Sequence, residues 1–315
     1  MPLRESCESM KLRKNTTIYL VALLCLQIPW LKEAHSQLSG KPVFSKEISK
    51  QESIYQSRGD QVPAGYSTDR SLEDYTRGLS SDFDRTLAKL GPKDRWLDIG
   101  AGRGHAILDY YMLSYDLAHP EWREQRGSKA QTVAVSIEDR RTSRWQQEAS
   151  GVGANKIQYL FSRRLQEYSR EELGQFQMIT DVIGGFSYAD NLSEFVEKTL
   201  SFLDLNGSFF TLLQDVHSEA GTNHPFYAGA RFLTEIAKSD GTEMKVCAWL
   251  KSITCVEVTC EFTTSWKPPI EAYRVRKVCN NVTVPVLIPL NYEAGTPPER
   301  RFRFSEPSST PSSSQ

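Results

Sequence analysis

The chain has no excess of charge of either sign, no apolar run long enough to span a bilayer, no CxxC pair and no internal repeat. Each absence removes a class of function. Its 38 basic and 39 acidic residues leave a net charge of −1, so no overall field would draw it to nucleic acid or to an anionic membrane. The longest apolar stretch, Ile18 to Leu31, spans 14 residues and contains Gln27, short of the roughly 20 that a transmembrane helix needs. Cysteine and histidine nowhere show metal-ligand spacing, so no metal is expected. What is present, 39% hydrophobic and 24% charged side chains, is an ordinary globular composition with enough apolar material for one large domain.

Arg4, Lys11, Arg13 and Lys14 precede the apolar stretch, and Ala34-His35-Ser36 places small residues at both positions that signal peptidase inspects. Residues 1–36 therefore read as a signal peptide that exports the protein to a periplasm or out of the cell, leaving no stable membrane span. The alternatives are a membrane anchor with the domain outside, or a cytoplasmic protein with a misleading N-terminus. Cleavage would leave Cys247, Cys255, Cys260 and Cys279. An oxidising compartment permits up to two disulfides among them, in any of three connectivities; free thiols buried in strands are the other reading.

Residues 37–65 are polar and without periodicity, as in a linker or an N-terminal arm, and the folded domain is expected over residues 66–293. Leu72, Tyr75, Leu79, Phe83, Leu87 and Leu90 recur at helical spacing up to Gly91-Pro92. Strands are expected at 95–100, 132–137, 156–161, 176–182 and 208–213, with helices at about 105–114, 142–150, 164–173 and 192–203 between them. That alternation specifies an α/β fold, a doubly wound, mostly parallel sheet with helices on both faces. The β-rich runs 245–262 and 271–278, joined through Trp266-Lys-Pro-Pro269, read as a C-terminal β hairpin at the sheet edge. The tail 294–315, ending in Ser-Ser-Thr-Pro-Ser-Ser-Ser-Gln, has too little apolar content to pack and is expected to be disordered.

In such a sheet the ligand crevice lies at the carboxyl ends of the strands, where the first strand-to-helix loop sits. Here that loop is Asp98-Ile99-Gly100-Ala101-Gly102-Arg103-Gly104. Its glycines let backbone turn sharply and approach a ligand closely. The third glycine of a dinucleotide GxGxxG motif is missing, because His105 stands in its place. Asp-x-Gly-x-Gly-x-Gly at 98–104, at the end of a strand and followed by alternating elements, resembles the first motif of class I S-adenosylmethionine-dependent methyltransferases. The resemblance covers about residues 70–215.

The resemblance implies a Rossmann-like fold with S-adenosyl-L-methionine as cofactor, held by Asp98, Gly100, Ala101, Gly102 and Gly104. It implies a ribose-binding acid after the second strand, which is Glu138, with Asp139 next in line. The 40 residues from 98 to 138 exceed the ~20 of a compact dinucleotide-type unit, and the polar segment His119 to Gly127 reads as an insertion. Asp181, in Asp181-Val-Ile-Gly-Gly-Phe-Ser-Tyr188, stands where the family's fourth strand faces the methionine moiety or the acceptor. Arg163 and Arg164 stand near a customary adenine contact, where a solvated helix start explains them equally well. The sequence lacks an Asn/Asp-Pro-Pro-aromatic tetrapeptide, which disfavours amino-methylation of adenine or cytosine.

Methyl transfer from a sulfonium is an in-line displacement in which the protein mainly aligns donor and acceptor. A base is required only if the acceptor must lose a proton; Asp181, His217 and His224 are the candidates, although histidines in such loops are more often surface residues. The expected function is thus S-adenosylmethionine-dependent methyl transfer to an unidentified acceptor. An exported non-catalytic binding protein that keeps the fold is the alternative, because this cofactor is made in the cytoplasm. An aminopropyltransferase using the same cofactor family is a weaker third.

Overall fold

The computed structural model describes residues 46, 49–50, 70–112, 129–153, 155–214, 234–263, 269–294 and 298–305. The signal peptide, most of the 37–65 arm, the 119–127 insertion, His217, His224 and the last ten residues lie outside them.

The central sheet grows from strands that are buried along most of their length. In β1 (Arg95–Ile99) four consecutive residues are buried, as they are in β2 (Gln131–Val135), and β4 (Phe176–Asp181) is buried at all positions but Gln177. Such continuous burial, rather than alternation, belongs to parallel strands covered on both faces. With β3 (Ile157–Leu160), β5 (Leu203–Leu213), β8 (Val256–Thr263) and β9 (Ile270–Lys277) they form a seven-stranded sheet of order β3-β2-β1-β4-β5-β9-β8. The first five strands are parallel, and β9 runs antiparallel to both of its neighbours. The β8–β9 pair is the expected edge hairpin. The chain moves outward from β1 to β3 and then returns to the other side of β1 as β4, so the strand order reverses between β1 and β4.

Two cores cover the faces, sorted by the alternation of side chains along each strand. On one face Trp96, Ala134, Met178 and Phe210 meet α1 (Leu72–Gly78), α2 (Phe83–Ala88), α3 (His105–Tyr111) and α4 (Ser143–Val152). On the other, Leu97, Val133, Ile179 and Phe209 lie in one core with residues of α5 (Arg170–Leu173), α6 (Gly185–Tyr188), α7 (Leu192–Phe202) and α8 (Val246–Lys251). Helix starts follow local chemistry. Ser71 and Asp74 exchange side-chain and backbone bonds in a capping box on α1, and the Thr142 and Asn191 side chains accept from amides in the first turns of α4 and α7.

Four expectations are corrected. The 72–90 helical face is two helices, interrupted where Leu79 turns extended. Residues 164–173 form a 3-10 turn (Leu165–Glu167) followed by α5. The run 245–262 begins with helix α8, not strand. The largest change concerns the tail: β11 (Glu299–Phe304) is a strand with Arg300, Phe302 and Phe304 buried, so the domain extends past 293. It lies in a second sheet of order β10-β11-β6-β7 with β6 (Thr234–Ala237), β7 (Glu243–Met244) and β10 (Leu287–Glu293). The tail was misread because its alternating arginines and phenylalanines look solvated until a partner strand buries one face.

Both disulfide pairs are selected among the three connectivities. Cys247–Cys260 ties α8 to β8, and Cys255–Cys279 ties the residue before β8 to the chain beyond β9. Closing loops of 13 and 24 residues should stabilise the hairpin by about 3 kcal/mol each in the chain-entropy picture. Trypsin leaves Cys255 and Cys260 on one peptide, so additional cleavage after Glu257 is needed to separate them. Non-reducing peptide mapping with both cuts should then recover 247 linked to 260 and 255 linked to 279. Recovery of 247 linked to 255 would contradict this arrangement.

Candidate functional site

The strand order reverses between β1 and β4, the place where open α/β sheets bind ligands, and the glycine loop leaves β1 there. Gly100, Gly102 and Gly104 all have left-handed backbone, with φ of 66, 55 and 73°, a conformation in which a side chain would be strained. The amides of Gly100 and Ala101 donate to the Val135 carbonyl at 2.9 and 3.2 Å, pinning the loop to the end of β2. From α4 and β3 two aromatic residues hold its carbonyls: the Tyr159 hydroxyl donates to Gly102, and Trp145 Nε1 donates to Gly104 at 3.0 Å. Because peptide planes are trans, fixing those carbonyls aims the amides of Arg103 and His105 away from the two rings.

The loop's other wall is the turn after β4. A Cβ on Gly100 would lie 2.6 Å from the Cα of Gly184, and one on Gly184 would lie 2.8 Å from the Ile99 carbonyl oxygen and 3.1 Å from the Cα of Gly100. Two backbones therefore touch with no room for a methyl group. The turn is held by Asp181, whose Oδ1 accepts from the Gly184 amide at 2.8 Å and whose Oδ2 accepts from the Phe186 amide at 3.0 Å. Between them Ile183 has φ of 53°, which for a β-branched residue is strain of order ~1–3 kcal/mol that surrounding contacts must sustain.

These contacts revise the expected roles of both aspartates. Asp181 is fully buried with both oxygens committed to backbone amides, so it builds the wall and does not face an acceptor. Asp98 is fully buried on the opposite sheet face, where Tyr75 Oη donates to its two oxygens at 2.9 and 3.0 Å and Thr180 Oγ1 donates at 2.7 Å. Trp96 Nε1 in turn donates to Thr180 Oγ1 at 2.7 Å. Burial pushes both carboxyls up to about 7, against the lowering effect of these hydrogen bonds and of the Arg70 charge, which acts on both.

Glu138 lies where expected, just past β2, with its side chain 27% exposed and paired with Arg140 at 2.6 Å. Asp139 is held by Arg141 at 2.8 Å. Beside them Ile137 and Phe161 are 39% and 40% exposed. The Arg141 guanidinium lies 4.9 Å from the ring of Tyr159 and 5.3 Å from that of Phe161. A partly exposed carboxylate next to exposed apolar surface suits hydroxyl groups attached to a flat heterocycle. Arg163 takes no part: it pairs with Glu172 at 2.9 Å and stacks on Tyr168. Among the described residues the one metal-like cluster is Cys247, Cys260 and Glu271, and its two thiols are consumed in a disulfide. Sequence reasoning missed Tyr75, Trp145, Tyr159 and Gly184. Only the Gly184-Gly185 doublet carried a local signal.

No family model matches the chain, and no curated protein matches it. Solved structures do. It is similar to an rRNA methylase from Streptococcus thermophilus (11% identity, 62% of this chain and 93% of that chain, TM-score 0.35). It is similar also to the antibiotic-resistance methyltransferase Kmr (16%, 64% and 93%, 0.37) and to cofactor-bound Rv0187 from MTB (10%, 78% and 94%, 0.42). At such identities and scores these similarities carry no argument about activity.

The raised carboxyls set a pH dependence. A folded pKa of about 7 for Asp98 and Asp181 against the ordinary aspartate value of 3.8 means that the folded state keeps protons that the unfolded state releases. The stability this contributes is full below about pH 4 and is lost as pH rises through 7, at roughly 1.4 kcal/mol per pH unit for each group. Carboxylates held low by surface partners, such as Glu172 at about 2, do not titrate in this window. Ligand-free protein should therefore melt at progressively lower temperature from pH 5 to pH 7, and Asp98→Asn should remove roughly half of that slope. Equal slopes in parent and variant would contradict the assignment.

Proposed function

We propose that this chain is an S-adenosylmethionine-dependent methyltransferase with its cofactor site over Gly100–Gly104 and its ribose contact at Glu138. The observation that carries the reading is the loop of three left-handed glycines at the sheet's switch point, the first of which, Gly100, packs backbone to backbone against Gly184. The residues present fit the cofactor. Added Cβ atoms would fill the contact, Glu138 is the partly exposed acid, and Ile137 and Phe161 offer apolar surface beside it. When bound, the cofactor supplies a methyl group already activated on sulfur.

The chain's own work is alignment and exclusion of water. Trp145 and Tyr159 fix the loop from below, Asp181 fixes the turn opposite, and the buried Asp98–Tyr75–Thr180 group ties α1 to both strands. Where an acceptor must lose a proton, His217 and His224, which follow β5 in the sequence, are the remaining candidate bases. Export through residues 1–36 is part of the proposal.

The two disulfides favour a second reading, since they suit an oxidising compartment, where this cofactor would be scarce. There the chain would be a binding protein that keeps the fold without the reaction.

Calorimetric titration of the mature chain, residues 37–315, with S-adenosylmethionine and S-adenosylhomocysteine tests the first reading. Micromolar binding is expected, and loss of the ribose hydrogen bonds in Glu138→Ala should weaken it by roughly ten- to a hundredfold. Asp139→Ala, which also orphans an arginine, is the control and should bind like the parent. A 2′-deoxy analogue should lose affinity in the parent and little more in Glu138→Ala. Binding weaker than millimolar in the parent would overturn the reading in favour of the second.

A further inference from the structure

We infer that Arg300, on a strand outside the parallel sheet, is a positioning residue for the cradle, clamping α6 from the end opposite Asp181; its importance for cofactor binding rests on the function proposed above. Arg300 is 1% exposed. Its Nη1 donates to the carbonyls of Phe186 and Ala189 at 2.9 and 2.8 Å, and its Nη2 donates to Thr234 Oγ1 at 2.9 Å. Tyr292 Oη, on the neighbouring β10, donates to the Tyr188 carbonyl at 3.2 Å. Three of the four carbonyls from Phe186 to Ala189 are thus gripped by the second sheet.

The other end of α6 is held by the Asp181 carboxylate through the Gly184 and Phe186 amides. A carboxylate at the amino end and a guanidinium at the carboxyl end match the partial charges that peptide dipoles leave there. Four residues are far too few for a helix to persist unaided, so the position of α6 is set by these two side chains and by the packing of Phe186 against Phe195, Phe209 and Tyr273. Because Gly184 meets Gly100 backbone to backbone, any displacement of α6 reaches the glycine loop directly. The strand that sequence reading assigned to a disordered tail thereby becomes part of the site's frame.

Arg300→Met, Arg300→Lys and Tyr292→Phe, each in the full mature chain, test this by amide hydrogen exchange without ligand and by titration with S-adenosylmethionine. Arg300→Met should exchange about tenfold faster in peptides covering 182–190 and a few-fold faster in 99–105, with 203–213 unchanged, because the opening is local. Its affinity should fall about tenfold, and Arg300→Lys should recover part of both effects, since it keeps the charge but fewer directed donors. If Arg300→Met does not fold, Tyr292→Phe, which loses one hydrogen bond, should still show about threefold faster exchange in 182–190. Uniform acceleration across the chain, or unchanged exchange in 182–190 in the folded variants, would overturn the inference. A parent that does not bind S-adenosylmethionine would overturn the function instead, while the exchange data would still decide the clamp.

Discussion

The contact between Gly100 and Gly184 is the constraint on which the rest of this molecule depends. Two strand ends, β1 and β4, deliver backbone to the same place with a separation that excludes a single methyl group. Everything around the contact serves to keep it. Val135 holds the start of the glycine loop, Tyr159 and Trp145 hold its carbonyls, and Asp181 holds the opposing turn. The strained Ile183 is tolerated because groups on both sides of it leave no alternative path.

Buried ions recur in one structural role. Lys129 donates to the Tyr110 carbonyl near the end of α3, Lys277 donates to the Leu200 and Leu203 carbonyls at 3.2 and 2.9 Å around the end of α7, and Arg300 holds the end of α6. Each cation meets carbonyls at or just past a helix terminus, where the peptide dipoles leave partial negative charge. Burial lowers the Lys277 pKa, and the directed carbonyls make such a position tolerable. Short helices, several of them under two turns, are in this way fixed by distant parts of the chain and not by their own propensity.

Most of the sheet was legible because its strands are continuous apolar runs separated by helical spacing, and the glycine loop because its spacing is local. The roles of Asp98 and Asp181 were not legible. Both occupy motif positions, but whether a carboxylate faces a ligand or takes amide and hydroxyl donors depends on Tyr75, Thr180, Gly184 and Phe186. No spacing rule brings those partners together. Glu138 was found in its expected place since strand ends follow from periodicity. Helix α8 was misread because Val246, Trp249 and neighbouring Val256 favour strands, and its burial against the hairpin overrides that preference. In β11 the charged and aromatic residues alternate, a pattern that reads as solvated until Arg300 is seen to have its acceptors inside.

The proposed ligand cradle depends on a backbone contact without side chains. Gly100→Ala tests it most directly, by calorimetric titration with S-adenosylmethionine beside the parent and circular dichroism to confirm the fold. The added methyl group would sit 2.6 Å from the Cα of Gly184 at a φ of +66°, so the loop must shift. The variant should fold and bind at least roughly tenfold more weakly, the scale of a cradle displaced by a fraction of an ångström. A folded Gly100→Ala that binds as tightly as the parent would contradict it.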